Sequence, residues 1–273
     1  MDAGAELQQE KGKEGLTAAE RAVELRAFSK LTTQRANLIA QYRADNDNYV
    51  SADTAKSYFD DYPHNPARHA NATHRPAMEL AHTVYEQVLP EAPLAAPVLF
   101  TAGGTAAGKT YSVTTATDLG HYAAVLDSNL AAYGTATRLI DEVLATGRQV
   151  EVRYIFADHE VAFLRAIVRA REEGRTIPIA THVSTHTGSI KVVRRLIETY
   201  RKDPRVDIAV IDNTIPRDAH VISDRVIDFL TDRTYSSGQA KRLTEHLYAE
   251  LEHQYHAGTI SADIAHGFGY DDS

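Results

Sequence analysis

The sequence predicts an α/β fold: a parallel sheet flanked by helices, with extra helices at its amino- and carboxyl-terminal ends. Three observations lead there. Short β-rich apolar runs alternate with stripes of helical period, the pattern of strands joined by helical crossovers. One of those runs, Pro97 to Thr101, opens directly into a glycine-rich loop and a helix start. The chain has 273 residues with ordinary apolar (43%) and charged (24%) fractions, enough to bury one sizeable core.

The elements follow in order. Residues 1–16 carry Gly, Gln, Glu and Lys with little apolar content and read as a disordered lead-in. Thr17 and Glu20 then make a capping box. It opens a long amphipathic helix whose face is Leu25, Phe28, Leu31, Leu38, Ile39 and Tyr42, stopped by the cluster Asp45 to Asn48. Tyr49 to Asp53 is a short strand ending on a carboxylate. From Thr73 to Leu89, Met78, Ala81, Val84, Tyr85 and Val88 share a helical face, and prolines 90, 93 and 97 make an extended linker.

After the glycine-rich loop a short helix runs to Asp118, and Tyr122 to Asp127 is a buried strand that again ends on a carboxylate. Ala136, Leu139, Ile140, Val143 and Leu144 form a helical stripe stopped by Gly147. Strand Val150 to Phe156, helix Glu160 to Glu173 closed by Gly174, helix Ser189 to Tyr200 and strand Val206 to Asp212 complete the alternation. Ser223 to His256 reads as two helices around Ser236-Ser237-Gly238, followed by a polar tail. Residues 17–216 thus make one α/β domain and 217–273 a helical extension.

The loop matches G-x-x-x-x-G-K-[ST] in full, as Gly103-Gly104-Thr105-Ala106-Ala107-Gly108-Lys109-Thr110. Its small residues let backbone N–H groups curl round phosphate oxygens, and the following helix start favours an anion. Lys109 then reaches the terminal phosphates of ATP or GTP, and Thr110 binds Mg²⁺. The fold is therefore P-loop NTPase-like.

The net charge of −8 argues against a protein that holds nucleic acid by its phosphates. The chain has no cysteine, which removes disulfides, thiolate nucleophiles and Cys-based zinc sites. No apolar run approaches a membrane span and the amino terminus lacks a signal-like h-region, so a cytoplasmic location is expected, with secretion by a dedicated system as the alternative.

Phosphoryl transfer needs positive charge on the moving group, a metal, and a carboxylate that takes the acceptor proton. Arg165 and Arg169 lie four residues apart on one helix face, and Arg175 sits just past the helix end. Guanidinium forks suit phosphate oxygens. The alternative is a solvated face paired with Glu172 and Glu173. Asp53 and Asp127 both end strands, where ligands of a parallel sheet bind, although a strand-end Asp also serves as a cap. His182 and His186 stand i, i+4, but no third metal ligand accompanies them. A single histidine fixing the arginine loop or touching substrate is the preferred reading.

These residues resemble the zeta toxin family of P-loop kinases, whose best-known members phosphorylate the sugar 3′-hydroxyl of UDP-N-acetylglucosamine. Val125-Leu126-Asp127-Ser128-Asn129 is similar to the family's strand ending in a Glu/Asp-Gly-Thr substrate motif. Gly174-Arg175-Thr176-Ile177-Pro178 with His182 resembles its Arg-x-x-Pro-x-x-x-His segment, and Val210 to Asn213 its closing strand. The resemblance implies Arg169 and Arg175 as phosphate clamps, assisted by Arg165, and Asp127, Asn129 and His182 as substrate contacts. It departs upstream. In the family the phosphate loop precedes a Val-Asn-x-Asp strand that supplies the base and then a His-bearing helix; here the nearest match, Tyr49 to Asp53 with Thr73-His74, comes before the loop. The resemblance thus implies a permuted strand order, with Asp53 as base and Asp127 as substrate or metal partner; the alternative base is Asp127.

The expected function is transfer of the γ-phosphate of ATP or GTP, with Mg²⁺, to a hydroxyl of a small molecule, a nucleotide sugar or another nucleotide. The competing class is a nucleotide-binding ATPase or switch. An antitoxin partner, or an inhibitory role for the amino-terminal helix, accompanies the toxin reading.

Overall fold

The computed structural model describes residues 15–116, 118–215 and 218–270. The disordered lead-in read over residues 1–16 lies, up to residue 14, outside them. Helices α1 (Ala18–Thr33) and α2 (Arg35–Asn46) lead into strand β1 (Tyr49–Ser51). Three one-turn helices follow, α3 (Ala52–Ala55), α4 (Asp61–His64) and α5 (Pro66–His69), and then α6 (His74–Glu91). The sequence continues through β2 (Val98–Ala102), α7 (Lys109–Ala116), β3 (Ala124–Asp127), α8 (Tyr133–Ala145), β4 (Val150–Phe156), α9 (His159–Glu173), α10 (Ile179–Tyr200) and β5 (Val206–Asp212). Strand β6 (His220–Val221) and helices α11 (Val226–Asp232), α12 (Ser237–His256) and α13 (Ala262–Gly267) close the described chain.

The six strands form one sheet in the order β1-β3-β2-β4-β5-β6, parallel except for the β5–β6 pair. The strand that delivers the glycine-rich loop is central, and all five of its residues are buried, as a strand covered on both faces requires. The first strand in the chain lies at the edge, two places from β2, with Ser51 in register with Asp127. Moving β1 to a position between β2 and β3 in the chain would give an ordinary 2-3-1-4-5 order. The strand order is therefore rearranged in the sense read from Tyr49 to Asp53. Helix α6 makes the long crossover from β1 to β2, packing on both β1 and β3.

Helices α1 and α2 belong to the main core. Leu31, Leu38 and Tyr42 are each at most 2% exposed and pack with β-strand and α6 side chains. Tyr42 also accepts the Ser51 N–H at 2.8 Å, which fixes the end of β1. The pair is a structural wall.

Several local expectations need correction. The amino-terminal helix is broken at Gln34, which shifts the phase of the stripe, so Leu25 is 68% exposed while Val23 and Ala27 face the core. Met78 is also outside the core at 47% exposure, and Leu80 is buried in its place. Pro90 lies inside the last turn of α6 rather than in a linker. Helix α10 starts at Ile179, ten residues before Ser189, because Pro178 is tolerated just ahead of a first turn whose N–H groups lack partners. The polar tail contains α13, followed by a fully buried Phe268 that packs with Phe163, Ile167 and Ile179. No helix among the described residues is long and apolar enough to cross a membrane.

Candidate active site

The loop after β2 depends on its missing side chains. Gly103 (φ +134°) and Gly108 (φ +95°) adopt backbone conformations that disfavour L side chains, and a Cβ at Gly104 would overlap the ring of His186. Ala106 takes a left-handed φ of 59° despite its Cβ, a local strain of the kind that collects at ligand-binding turns. Lys109 Nζ donates to Gly103 O (3.1 Å), Gly104 O (2.9 Å) and Asn129 Oδ1 (2.9 Å). Its ammonium thus lies in the mouth of the loop. Burial lowers the Lys109 pKa from its ordinary value, opposed by the nearby Asp127 and Asp53 carboxylates.

Helix α10 supports the loop from behind. Thr105 N–H donates to Thr185 Oγ1 at 3.3 Å, and His186 Nε2 meets Thr105 O at 2.8 Å. Burial, then the adjacent His182, holds the His186 pKa well below the usual imidazole value, so the ring is neutral and donates through Nε2–H. His182 lies 4.5 Å from His186 with the rings tilted, and His159 meets His186 edge-on at 6.0 Å. His182 is fully buried, and burial pushes its pKa down to about 4. The structure therefore places it behind the loop and not on an open face. Among the described residues no group of three or more His, Cys, Asp or Glu side chains is arranged to hold a metal ion.

The two carboxylates differ in their surroundings, and only Asp127 ends a strand: β1 stops at Ser51, which caps α3, so Asp53 lies in a helical turn rather than at the strand's end. Asp127, on the strand next to the loop strand, accepts from Thr101 Oγ1 (2.6 Å), Thr110 Oγ1 (2.8 Å) and the Tyr49 hydroxyl (2.5 Å). This joins it to the hydroxyl that closes the loop motif. Hard oxygen donors of this kind, few in number, suit Mg²⁺, which keeps water and phosphate oxygens for the rest of its shell. Thr110 and Asp127 fit that ion.

Asp53 starts α3 just beyond β1. Its Oδ1 faces Lys56 Nζ at 2.8 Å and its Oδ2 faces Arg175 Nη2 at 3.0 Å, while 46% of its side chain remains accessible. The Lys56 ammonium, reinforced by Arg175 and Arg169, holds its carboxyl well below the usual range against the opposing cost of burial. Arg169 stands beside Arg175, and its buried Nε has no hydrogen-bond partner. Arg165 turns elsewhere, donating from Nη2 to Thr214 O at 3.2 Å. The charge on Lys109 is thus flanked by Asp127, Asp53, Arg169 and Arg175, brought together at one end of the sheet. Asn129 joins them through Lys109 and through its carbonyl, which accepts Gly103 N–H.

Four residues of this neighbourhood were not singled out from the sequence. Lys56 is 7% exposed and pairs with Asp53. Its spacing, three after Asp53 in a short helix, was a readable signal. Asn213 Nδ2 donates to Ala107 O at 2.7 Å and occupies the space a Cβ on Gly108 would need. Tyr49 and Thr101 hold Asp127 from neighbouring strands, a pairing that only the register reveals.

Residues 113–218 match the Zeta toxin family model. The match begins three residues after Thr110, so it covers Asp127, Asn129, Arg165, Arg169, Arg175 and His182 and leaves out β1 and the loop. The zeta toxin resemblance therefore stands on the downstream half, where the motifs follow the family's order. No curated protein sequence matches the chain. Among solved structures, the AvrRxo1-ORF1:AvrRxo1-ORF2 complex aligns at 13% identity over 63% of this chain and 84% of that one, with a TM-score of 0.41. The PezAT chromosomal toxin–antitoxin system of Streptococcus pneumoniae aligns at 11% identity over 88% of this chain and 98% of that one, with a TM-score of 0.44.

Proposed function

We propose that this zeta-toxin-like chain is a kinase that moves the γ-phosphate of ATP or GTP to a hydroxyl of a small molecule, a nucleotide sugar such as UDP-N-acetylglucosamine or another nucleotide. The observation that carries it is the meeting of Asp53, from a strand ahead of the loop, with Arg175, from a turn beyond it, beside Lys109 and Asp127. A switch protein needs the loop and a metal partner. It has no need of a carboxylate held between two cations on the acceptor side.

In this reading the N–H groups of Gly104 to Thr110 bind the donor phosphates, and Lys109 exchanges its loop carbonyls for phosphate oxygens. Mg²⁺, held by Thr110 with Asp127, would neutralise charge between the β- and γ-phosphates. Arg169 and Arg175 face the equatorial oxygens as charge spreads over them. Asp53 aligns the acceptor hydroxyl and takes its proton late, after the bond to the leaving oxygen has largely broken. A depressed pKa is compatible with that order, since the acceptor is far more acidic at that stage.

An antitoxin partner and a cytoplasmic setting belong to the same proposal. The two solved structures are described as a complex and a toxin–antitoxin system, and these descriptions are theirs. Because α1 and α2 are part of the core, inhibition by the amino-terminal helix covering the site in cis, relieved by its removal, is the weaker form of the partner idea.

The test incubates the chain with γ-labelled Mg-ATP and UDP-N-acetylglucosamine, and in parallel with a small-molecule extract. Label on an organic acceptor, lost in Lys109→Ala with the fold retained, is the expected result. Label released only as inorganic phosphate, or activity unchanged in Lys109→Ala, overturns it.

A further inference from the structure

Arg175 lies in the turn between α9 and α10, residues 174–178. A turn between two surface helices is ordinarily among the looser parts of a domain. This one is enclosed on two sides. On one side, Thr176 Oγ1 donates to Ala67 O at 3.1 Å, and a Cβ on Gly174 would come within 3.2 Å of the Pro66 side chain. On the other, Ile179 N–H donates to Phe268 O at 2.9 Å. Gly267 approaches so closely that a Cβ there would overlap Thr176 Oγ1 and come within 2.6 Å of Ala67 O. Thr176 is left 5% exposed and Phe268 fully buried.

The two walls are also joined to each other. Asn65 Nδ2 donates to Asp263 Oδ2 at 2.8 Å, and Arg68 pairs with Asp263 at 3.4 Å. Helix α5, the arginine turn and α13 therefore each touch the other two, and they meet at Thr176, the residue next to Arg175. Neither helix is part of the alternating strand–helix core. Fixing the backbone beside a guanidinium removes an ordering cost that would otherwise fall at the moment phosphate binds.

We infer that α13, through Gly267 and Phe268, is a latch that positions Arg175 for the γ-phosphate, and that Thr176 and Gly267 are positioning residues for that contact. The inference rests on the proposed role of Arg175. Packing alone would stabilise the fold without affecting how the protein distinguishes ATP from ADP.

The experiment measures Mg-ATP and Mg-ADP affinity by titration calorimetry on the full chain, together with thermal melting. The wild type should bind ATP about tenfold or more tighter than ADP, the size of one charge-assisted hydrogen bond. Arg175→Ala should lower that preference by about tenfold, the remainder coming from Lys109, Arg169 and the metal. Thr176→Val, which keeps the shape and deletes the hydroxyl, should lose most of what Arg175→Ala loses with ADP affinity unchanged, and Thr176→Ser should restore it. Asp263→Ala, at a solvent-accessible tie between the walls, should weaken the preference without threatening the fold, and Gly267→Ala should lower it as far as Arg175→Ala does.

Thr176→Val and Asp263→Ala proteins that melt lower yet keep the wild-type ATP-to-ADP ratio overturn the latch while leaving the role of Arg175 intact. A wild type with no preference, or a preference undiminished in Arg175→Ala, overturns the phosphate contact and the latch with it. The wild-type and Arg175→Ala arms tell the two failures apart.

Discussion

Arg175 Nη2 stands 3.0 Å from Asp53 Oδ2, joining residues 122 positions apart in the chain. The proposed base and the proposed phosphate clamp therefore share one ion pair. Asp53→Asn should lower phosphoryl transfer by about 10²–10⁴-fold, the usual range for loss of a positioned proton acceptor. ATP affinity should be nearly unchanged. Asp127→Asn should instead weaken Mg-dependent ATP binding. Single-turnover transfer combined with nucleotide titration separates the two roles, and the reverse pattern would make Asp127 the base.

The same pair sets a pH dependence. Lys56 and then Arg175 hold the Asp53 pKa well below the ordinary carboxyl value of 3.8, so the charged form is favoured in the folded state. Its stabilising contribution is present above the unfolded value and is lost as pH falls through the folded one. Lys56→Met should raise the Asp53 pKa and move the acid limb of the kcat profile to higher pH. A limb that stays in place in Lys56→Met would show that Asp53 does not control it.

The buried histidines titrate in a different window. His186 is held well below the usual imidazole value of 6.5 and His182 is pushed down to about 4, both chiefly by burial. The unfolded chain then binds more protons than the folded one as pH falls below about 6.5, so stability should decline on acidification towards pH 5. His182→Leu removes one of these groups and should flatten the dependence of Tm on pH between 7 and 5. An equally steep slope in that variant would rule out His182 as a contributor.

Gly104 and His186 should behave as a coupled pair, because a Cβ on Gly104 would occupy the space of the imidazole. Gly104→Ala is expected to remove nucleotide binding. His186→Ala alone should weaken it, since Thr105 O loses its donor. The double variant should bind better than Gly104→Ala, and a double-mutant cycle measures that coupling. Additive losses would mean that the ring does not brace the loop.

Much of the fold was legible in the sequence because its signals are local. Val150 to Phe156 and Val206 to Asp212 are strands with the boundaries read from their apolar content, and Gly174 ends α9 in the left-handed conformation expected of a helix-closing glycine. The glycine-rich loop and the carboxylates after β1 and β3 were legible for the same reason. Features that depend on tertiary contact were not. The break at Gln34 has no Gly or Pro to mark it, and the helical state of His182 and His186 was hidden by Pro178 upstream and Gly188 downstream. Helix α13 is too short and polar to show a stripe, yet Phe268 beside it is fully buried, and the Tyr49 and Thr101 contacts to Asp127 exist only once the strands are in register.

Strand β1 has a single neighbour, β3, pairing Val50 with Leu126. During synthesis the edge strand is made early but stays without its hydrogen-bonding partner until α6, β2, the loop and β3 have all left the ribosome. Asp53 thus comes beside Lys109 only after the glycine-rich loop exists. Arg175 is made later still, so a chain terminated before that residue lacks the ion pair that joins the two ends of the site.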